Sequence, residues 1–92
     1  MNYLEINRLL IDDIDAKMLE LFEKRLEVAL QIAKYKKENN LPVLDSNREK
    51  EVITKNVKKL SNKKYQEYYE MFLKEIMNIS KMYQEKIMKE EK

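Results

Sequence analysis

Residues 3–38 of the chain read YLEINRLLIDDIDAKMLELFEKRLEVALQIAKYKKE, without a glycine or a proline. Apolar side chains recur along this stretch three or four positions apart, which is the spacing of one face of an α-helix. They are Leu4, Ile11, Ile14, Met18, Leu21, Val28 and Ile32. Asn39, Asn40 and Pro42 follow, and residues of these types commonly end a helix. The stretch therefore predicts one helix over about residues 3–38.

The predicted helix is long for so short a chain. At about 1.5 Å per residue it would extend roughly 54 Å, whereas a compact domain of 92 residues has a radius of gyration of about 12–13 Å. Two shorter helices of the same chain cannot cover the whole apolar face of such a helix. We therefore expect a second copy of the chain to cover it, because a two-fold homodimer is the commonest assembly.

The rest of the sequence predicts two more helices, within a single domain over residues 1–92. The second helix would begin at a capping box formed by Ser46 and Glu49 and end at about residue 60. The third would run from about residue 64 to about residue 88. A chain without glycine in which 39% of the residues are charged is typical of helices. The expected fold class is all-α, with three helices of which one is very long.

Several classes of function need residues that this sequence lacks. The absence of cysteine excludes disulfides and thiolate metal sites, and the absence of histidine removes the commonest general base and metal ligand. No apolar run approaches the roughly 20 residues of a membrane span, and the first residues lack a signal-peptide layout. The net charge of +2 is small, and the lysine pairs at 58–59 and 63–64 have no aromatic platform beside them. We expect a cytoplasmic protein without metal or cofactor that binds neither nucleic acid nor membrane.

Two cations share the apolar face of the first helix. Arg25 and Lys36 are eleven positions apart, so they return to within about 20° of each other, on the face that carries Val28 and Ile32. A charged side chain is seldom buried unless it is paired, because removing water from the charge costs several kcal/mol. These side chains could reach outward to water or pair with a buried glutamate. Alternatively, the face could hold an anion.

Polar residues interrupt the other two helices as well. In the third helix, Ser80 and Gln84 lie one turn apart in an apolar stripe, where they could simply fix the register of packing. In the second helix, Arg48 and Glu49 follow Asp45, and ordinary capping would explain them. Each simple explanation is reasonable alone. Three helices that all place polar groups toward one interior favour a bound anion.

The ordered set of these residues resembles the all-helical chorismate mutases, the intertwined dimeric class found in bacteria. The resemblance covers nearly the whole chain, from Arg8 to Gln84. The matched residues keep their spacing through two loops. The matched positions are Arg8, residues 15–22 leading into Arg25, Ile32, Lys36, Pro42, Val43, Asp45, Arg48, Glu49, Ser80 and Gln84. We therefore interpret the chain as a member of this family.

The resemblance implies the rearrangement of chorismate to prephenate, on the route to phenylalanine and tyrosine, without a cofactor. It also implies an intertwined homodimer in which two protomers exchange their long first helices and form two equivalent sites. Arg8 would reach into the partner's site and bind one substrate carboxylate, and Arg25 would bind the other from its own protomer. The positions agree with this division, since Arg8 lies about 100° around the helix from Arg25.

The same resemblance assigns roles to the remaining positions. Lys36 and Gln84 would donate hydrogen bonds to the ether oxygen of the bond that breaks. Glu49 would accept a hydrogen bond from the substrate hydroxyl, helped by a backbone group near Asp45. The other matched positions would line the ring and the carboxylates: Ile32, Arg48 and Ser80.

Two alternatives stay open at this point. An isochorismate-pyruvate lyase of the same fold uses nearly the same cationic site for a related pericyclic elimination, although the intact set of Arg8, Glu49 and Gln84 favours the mutase. A non-catalytic helical dimerisation module is the second alternative. It predicts no turnover and no stabilisation by a dianionic mimic of the transition state.

Overall fold

The computed structural model describes residues 1–90, and this part of the chain is helical, without a strand. Helix α1 spans Tyr3–Glu38, α2 spans Ser46–Val57 and α3 spans Gln66–Glu90, with a short 3₁₀ turn at Lys63–Tyr65 before α3. The prediction of three helices, one of them very long, is confirmed. The bounds of α1 agree with the prediction, whereas α2 and α3 differ from it by a few residues at their ends.

Helix α1 ends in a turn that needs a left-handed residue. Asn40 has a φ of 54°, and asparagine is one of the few residues other than glycine that adopts this region readily. The amide of Leu41 donates to the oxygen of Lys36 at 2.8 Å, and the amide of Asn40 donates to the oxygen of Lys37 at 3.3 Å. This is a Schellman ending. It turns the chain back sharply, so that the following loop lies beside the last turn of α1.

The first turn of α2 is capped by Asp45 rather than by Ser46. The Asp45 backbone is extended, and its carboxylate accepts from the amide of Arg48 at 3.0 Å. The predicted capping box, with Ser46 as its first member, is therefore wrong. Aspartate and serine are comparable N-caps. Asp45 caps the helix because it is the last residue before α2 begins.

The segment between α2 and α3 differs from the predicted end of the second helix at residue 60. Helix α2 stops at Val57, and the amides of Lys59 and Leu60 donate to oxygens only three residues earlier. The Lys63 ammonium donates to the oxygen of Val57 at 3.0 Å, and the amide of Leu60 donates to the same oxygen at 3.1 Å. This end carbonyl of α2 therefore accepts two hydrogen bonds from the segment that follows the helix, which favours the earlier stop.

Helix α3 is the central element, because it packs against both α1 and α2. Few of the described residues are buried, and they are Ala29, Ala33, Leu73, Ser80 and Gln84. The two alanines let α3 approach the C-terminal half of α1 closely. Two of the five buried residues are polar, so much of the small interior of the chain consists of hydrogen-bonding groups.

The N-terminal half of α1 has no neighbour within the described chain. Residues 1–25 are all exposed except the half-buried Asn7. The chain by itself leaves the apolar face of α1 largely uncovered, as the length of the helix predicted, since Leu21 is 63%, Val28 58% and Ile32 43% exposed. The Cα atoms extend over 55 × 27 × 14 Å. The chain is thus a layer about one helix thick, and it cannot cover both sides of α1.

No helix within residues 1–90 is both long enough and apolar enough to cross a membrane.

Candidate active site

A cavity of about 460 Å³ lies where the three helices converge, and it contains every site residue predicted from the sequence except Arg8. Helix α1 contributes Arg25, Ile32 and Lys36 to its wall. The start of α2 contributes Asp45, Arg48 and Glu49, and α3 contributes Ser80 and Gln84. Residues from the first and last thirds of the sequence therefore share one cavity. The roles of these residues remain predictions.

Arg8 lies far from this cavity in the described chain. It is exposed on the N-terminal half of α1, seventeen positions before Arg25, which places it roughly 25 Å away along the helix axis. One chain does not bring the two arginines together. A role for Arg8 in a cavity of this kind therefore requires the cavity of another copy.

Lys36 is held in place by the turn that ends α1. Its ammonium donates to the main-chain oxygen of Val43 at 2.8 Å, and the side chain is half-buried. The Schellman ending at Asn40 brings Val43 back to Lys36. An ammonium carries three N–H donors, so two remain for a ligand in the cavity.

Ser80 and Gln84 form a buried pair on α3. Each is 8% exposed, and the Gln84 amide nitrogen donates to the Ser80 hydroxyl oxygen at 3.1 Å. The second N–H of the amide is free for a ligand. The Gln84 carbonyl oxygen has no hydrogen-bond partner within residues 1–90. A buried acceptor without a partner costs about 1–3 kcal/mol, so a polar ligand group or water at this point would stabilise the site.

The two arginines of the cavity are accessible. Arg25 is exposed in the chain, which is the outward-reaching alternative that the sequence left open, whereas Lys36 on the same helix face is half-buried. The Arg48 guanidinium pairs with Glu51 at 2.6 Å, with both side chains largely exposed. An exposed pair of this kind is worth little. Arg48 can therefore exchange Glu51 for a ligand carboxylate at small cost.

Lys81 is a cavity residue that the sequence reasoning missed. It lines the cavity beside Ser80 and is half-buried. It is not part of the apolar stripe that revealed Ser80 and Gln84, so it resembled an ordinary surface lysine. Its half-burial follows from the crossing of α3 with its neighbours. The signal that the sequence offered for a cavity residue was the position of Lys81 directly after Ser80.

The charges around the cavity favour a dianion. The charged side chains that line it are four cations and two carboxylates: Arg25, Lys36, Arg48, Lys81, Asp45 and Glu49. The Asp45 carboxylate already caps α2, whereas the half-buried Glu49 carboxylate makes no hydrogen bond or ion pair within the described residues. The wall therefore carries an excess of two positive charges. Such a cavity can bind two carboxylates. It can also donate N–H groups to a further oxygen of the ligand and accept a hydrogen bond from a ligand hydroxyl.

A family model described as chorismate mutase type II matches residues 7–85. The chain belongs to this family. No curated protein and no solved structure matches the chain significantly. The chorismate mutase match extends from just before Arg8 to just after Gln84 and so includes every residue predicted for the site. The resemblance predicted from the sequence is confirmed, and it gives the chain a chorismate mutase-type function, with chorismate as the family's substrate.

Proposed function

We propose that this chain converts chorismate to prephenate in the cavity between its three helices, as a step toward phenylalanine and tyrosine. The observation that carries the proposal is the meeting of Arg25 and Lys36 from α1 with Gln84 from α3 around one cavity of net positive charge. A cytoplasmic location stays a prediction from the sequence.

The reaction needs only the kinds of group that this cavity contains. The rearrangement takes place within one molecule: the ether C–O bond breaks, a C–C bond forms, and no proton is transferred. The protein must hold the substrate in its compact conformer, with the two ends that will join in contact. It must also stabilise the negative charge that grows on the ether oxygen.

Lys36 and Gln84 supply that second effect in our proposal. Each is already held by a neighbour, Lys36 by the Val43 oxygen and Gln84 by Ser80. Each keeps a free N–H for the ether oxygen. Donors fixed before the reaction need no reorganisation as charge develops, and one such donor is typically worth about 3–4 kcal/mol to the transition state.

Arginine side chains bind the two substrate carboxylates in this scheme, since a guanidinium can contact both oxygens of a carboxylate at once. Arg25 acts from the same chain, and Arg8 acts from a partner. Glu49 accepts a hydrogen bond from the substrate hydroxyl, helped by a backbone group near Asp45. Ile32 packs against the ring, and the site is completed by two polar residues of the wall, Arg48 and Ser80.

The part assigned to Arg8 requires an intertwined homodimer, and the surface of the chain supports one. The chain exposes 7795 Å², whereas a compact monomer of 11.3 kDa exposes roughly 5,700 Å². The difference, on the order of 2,000 Å², is comparable to the area that one protomer buries in a large obligate dimer. The excess includes the exposed apolar side chains of α1, such as Leu10, Ile14 and Phe22. A second copy of α1 would cover them and bring its Arg8 to the cavity.

The test is an assay of chorismate disappearance with identification of the product. Prephenate supports the proposal. The same preparation is offered isochorismate, and salicylate with pyruvate as the only products would identify the lyase instead. An absence of turnover with both substrates, together with no thermal stabilisation by a dianionic transition-state mimic, would indicate a non-catalytic dimerisation module.

A further inference from the structure

Lys81 lies on a wall between two cavities. The cavity described above has a neighbour of about 430 Å³ between α2 and α3, and the two share Glu49, Met77 and Lys81 as lining residues. Lys81 is half-buried, whereas Lys50 and Lys74, which line the second cavity but not the first, are exposed. Lys81 is thus partly covered by protein and lies at the boundary of the candidate active site.

Lys81 is one of two cations of the active-site cavity that have no polar partner within residues 1–90. Lys36 donates to Val43, and Arg48 pairs with Glu51. Within residues 1–90, Lys81 and Arg25 make neither a side-chain hydrogen bond nor an ion pair. These two cations come from different helices, α3 and α1. They are therefore available for a ligand without the loss of an existing contact.

We propose that Lys81 is a substrate-binding residue that attracts and holds a carboxylate of the dianionic substrate at the cavity entrance. The inference rests on the proposed function. Lysine suits this task because its ammonium is a point charge on a flexible stem with three donors. It can contact an incoming carboxylate over a range of positions.

The effect of Lys81 should fall on substrate capture and not on the chemical step. The carboxylates keep their charge throughout the rearrangement, so an ammonium that contacts one of them stabilises the bound substrate and the transition state equally. Such uniform binding lowers KM and leaves kcat unchanged. A donor to the ether oxygen, where charge grows, acts instead on kcat. This difference separates the role of Lys81 from the role of Lys36.

The experiment compares Lys81→Met with Lys74→Met in chorismate turnover. Both substitutions remove one positive charge from α3 and keep most of the stem, but Lys74 lies two turns earlier and does not line the active-site cavity. At low ionic strength we expect Lys81→Met to raise KM about fivefold or more and to change kcat less than about twofold. The increase should shrink as salt is added. Lys74→Met should stay within about twofold of the wild type in both constants.

Circular dichroism and thermal unfolding establish that both variants are folded, and Lys81→Arg serves as the charge-retaining variant, with a KM near that of the wild type. An unchanged KM in Lys81→Met overturns the inference, and so does an equal rise in Lys74→Met. A parallel fall of kcat overturns it too, since the contact would then act on the chemical step. If Lys81→Met fails to fold, Lys81→Gln takes its place with the same criteria. A wild type without turnover overturns the proposed function and this inference with it, whereas an active wild type with an unaffected Lys81→Met overturns this inference alone.

Discussion

The ammonium of Lys36 donates to the main-chain oxygen of Val43 at 2.8 Å, across seven positions of sequence. The contact exists because Asn40 adopts a left-handed conformation and turns the loop back along the last turn of α1. A lysine side chain normally samples many rotamers. Here the backbone fixes its end at the cavity before any substrate binds, which is the condition for a donor that stabilises developing charge.

Lys36→Ala should lower kcat at least a hundredfold, because it removes a fixed donor worth about 3–4 kcal/mol to the transition state. The helical content should not change, since the lysine is only half-buried. Steady-state kinetics and circular dichroism check both expectations. Lys24→Ala is the matched control on the same helix, because Lys24 is exposed and pairs only with Glu20. Near-normal turnover in Lys36→Ala would disprove the proposed role.

Gln84 should make turnover nearly independent of pH between about 5 and 8, since a neutral amide donates at any pH in that range. Gln84→Glu should behave differently. A carboxyl group donates only when protonated, so turnover of this variant should fall as pH rises through the pKa of the introduced group, and it should be greatest at the acidic end. The measurement is kcat against pH for both proteins. A steep loss in the wild type between pH 5 and 8, with folding intact, would contradict the role of Gln84.

Arg8 and Arg25 should complement each other between chains. Arg8→Ala and Arg25→Ala should each have little activity alone. In a heterodimer of the two variants, one site has both arginines and the other has neither, so random mixing should restore roughly a quarter of the sites. The two proteins are unfolded together, refolded and assayed against each protein refolded alone. No recovery would mean that Arg8 does not act across the dimer.

Ile14→Lys should weaken the dimer strongly, because it places a charge in the middle of the apolar face that the second copy would cover. For the wild type, the melting temperature should rise with protein concentration, as it does when folding is linked to assembly. Sedimentation and thermal unfolding over a range of concentrations test both points. Asp13→Lys adds the same side chain one position away from the apolar stripe and should have a smaller effect. A wild type that sediments as a monomer would exclude the dimer.

Asp45→Ala should destabilise the protein by about 1 kcal/mol, because it removes the side chain that accepts from the amide of Arg48 at the start of α2. Ser46→Ala should have almost no effect on the free energy of unfolding. Denaturant unfolding at one fixed protein concentration provides the comparison. A larger loss from Ser46→Ala would restore the capping box that the sequence suggested.

The helices themselves were predictable because the features that specify them are local. The spacing of apolar residues from Leu4 to Ile32 and the pair of asparagines before Pro42 were enough to place α1. The cap of α2 was harder to assign. Asp45 and Ser46 are adjacent and have similar chemistry, and only the backbone conformation decides which one lies just outside the helix.

Most of the residues that line the site could be predicted from the sequence, whereas the exposure of each one could not. Periodicity placed Arg25 and Lys36 on one face and Ser80 with Gln84 on another, and the family resemblance joined them. Periodicity does not say what covers a face, so it left open whether the side chain of Arg25 is exposed. Lys81 was missed because its half-burial depends on how α3 crosses its neighbours. The part proposed for Arg8 depends on a second chain, which the length of α1 and the family resemblance both predicted.

The 14 Å thickness of the chain has a consequence for the supply of active enzyme. A layer in which only five of residues 1–90 are buried gains little from closing on itself, so folding, pairing and completion of the cavity would form a single event. The number of working sites would then rise with the square of the chain concentration at low expression and in proportion to it once pairing is complete. Dilution alone would switch such an enzyme off.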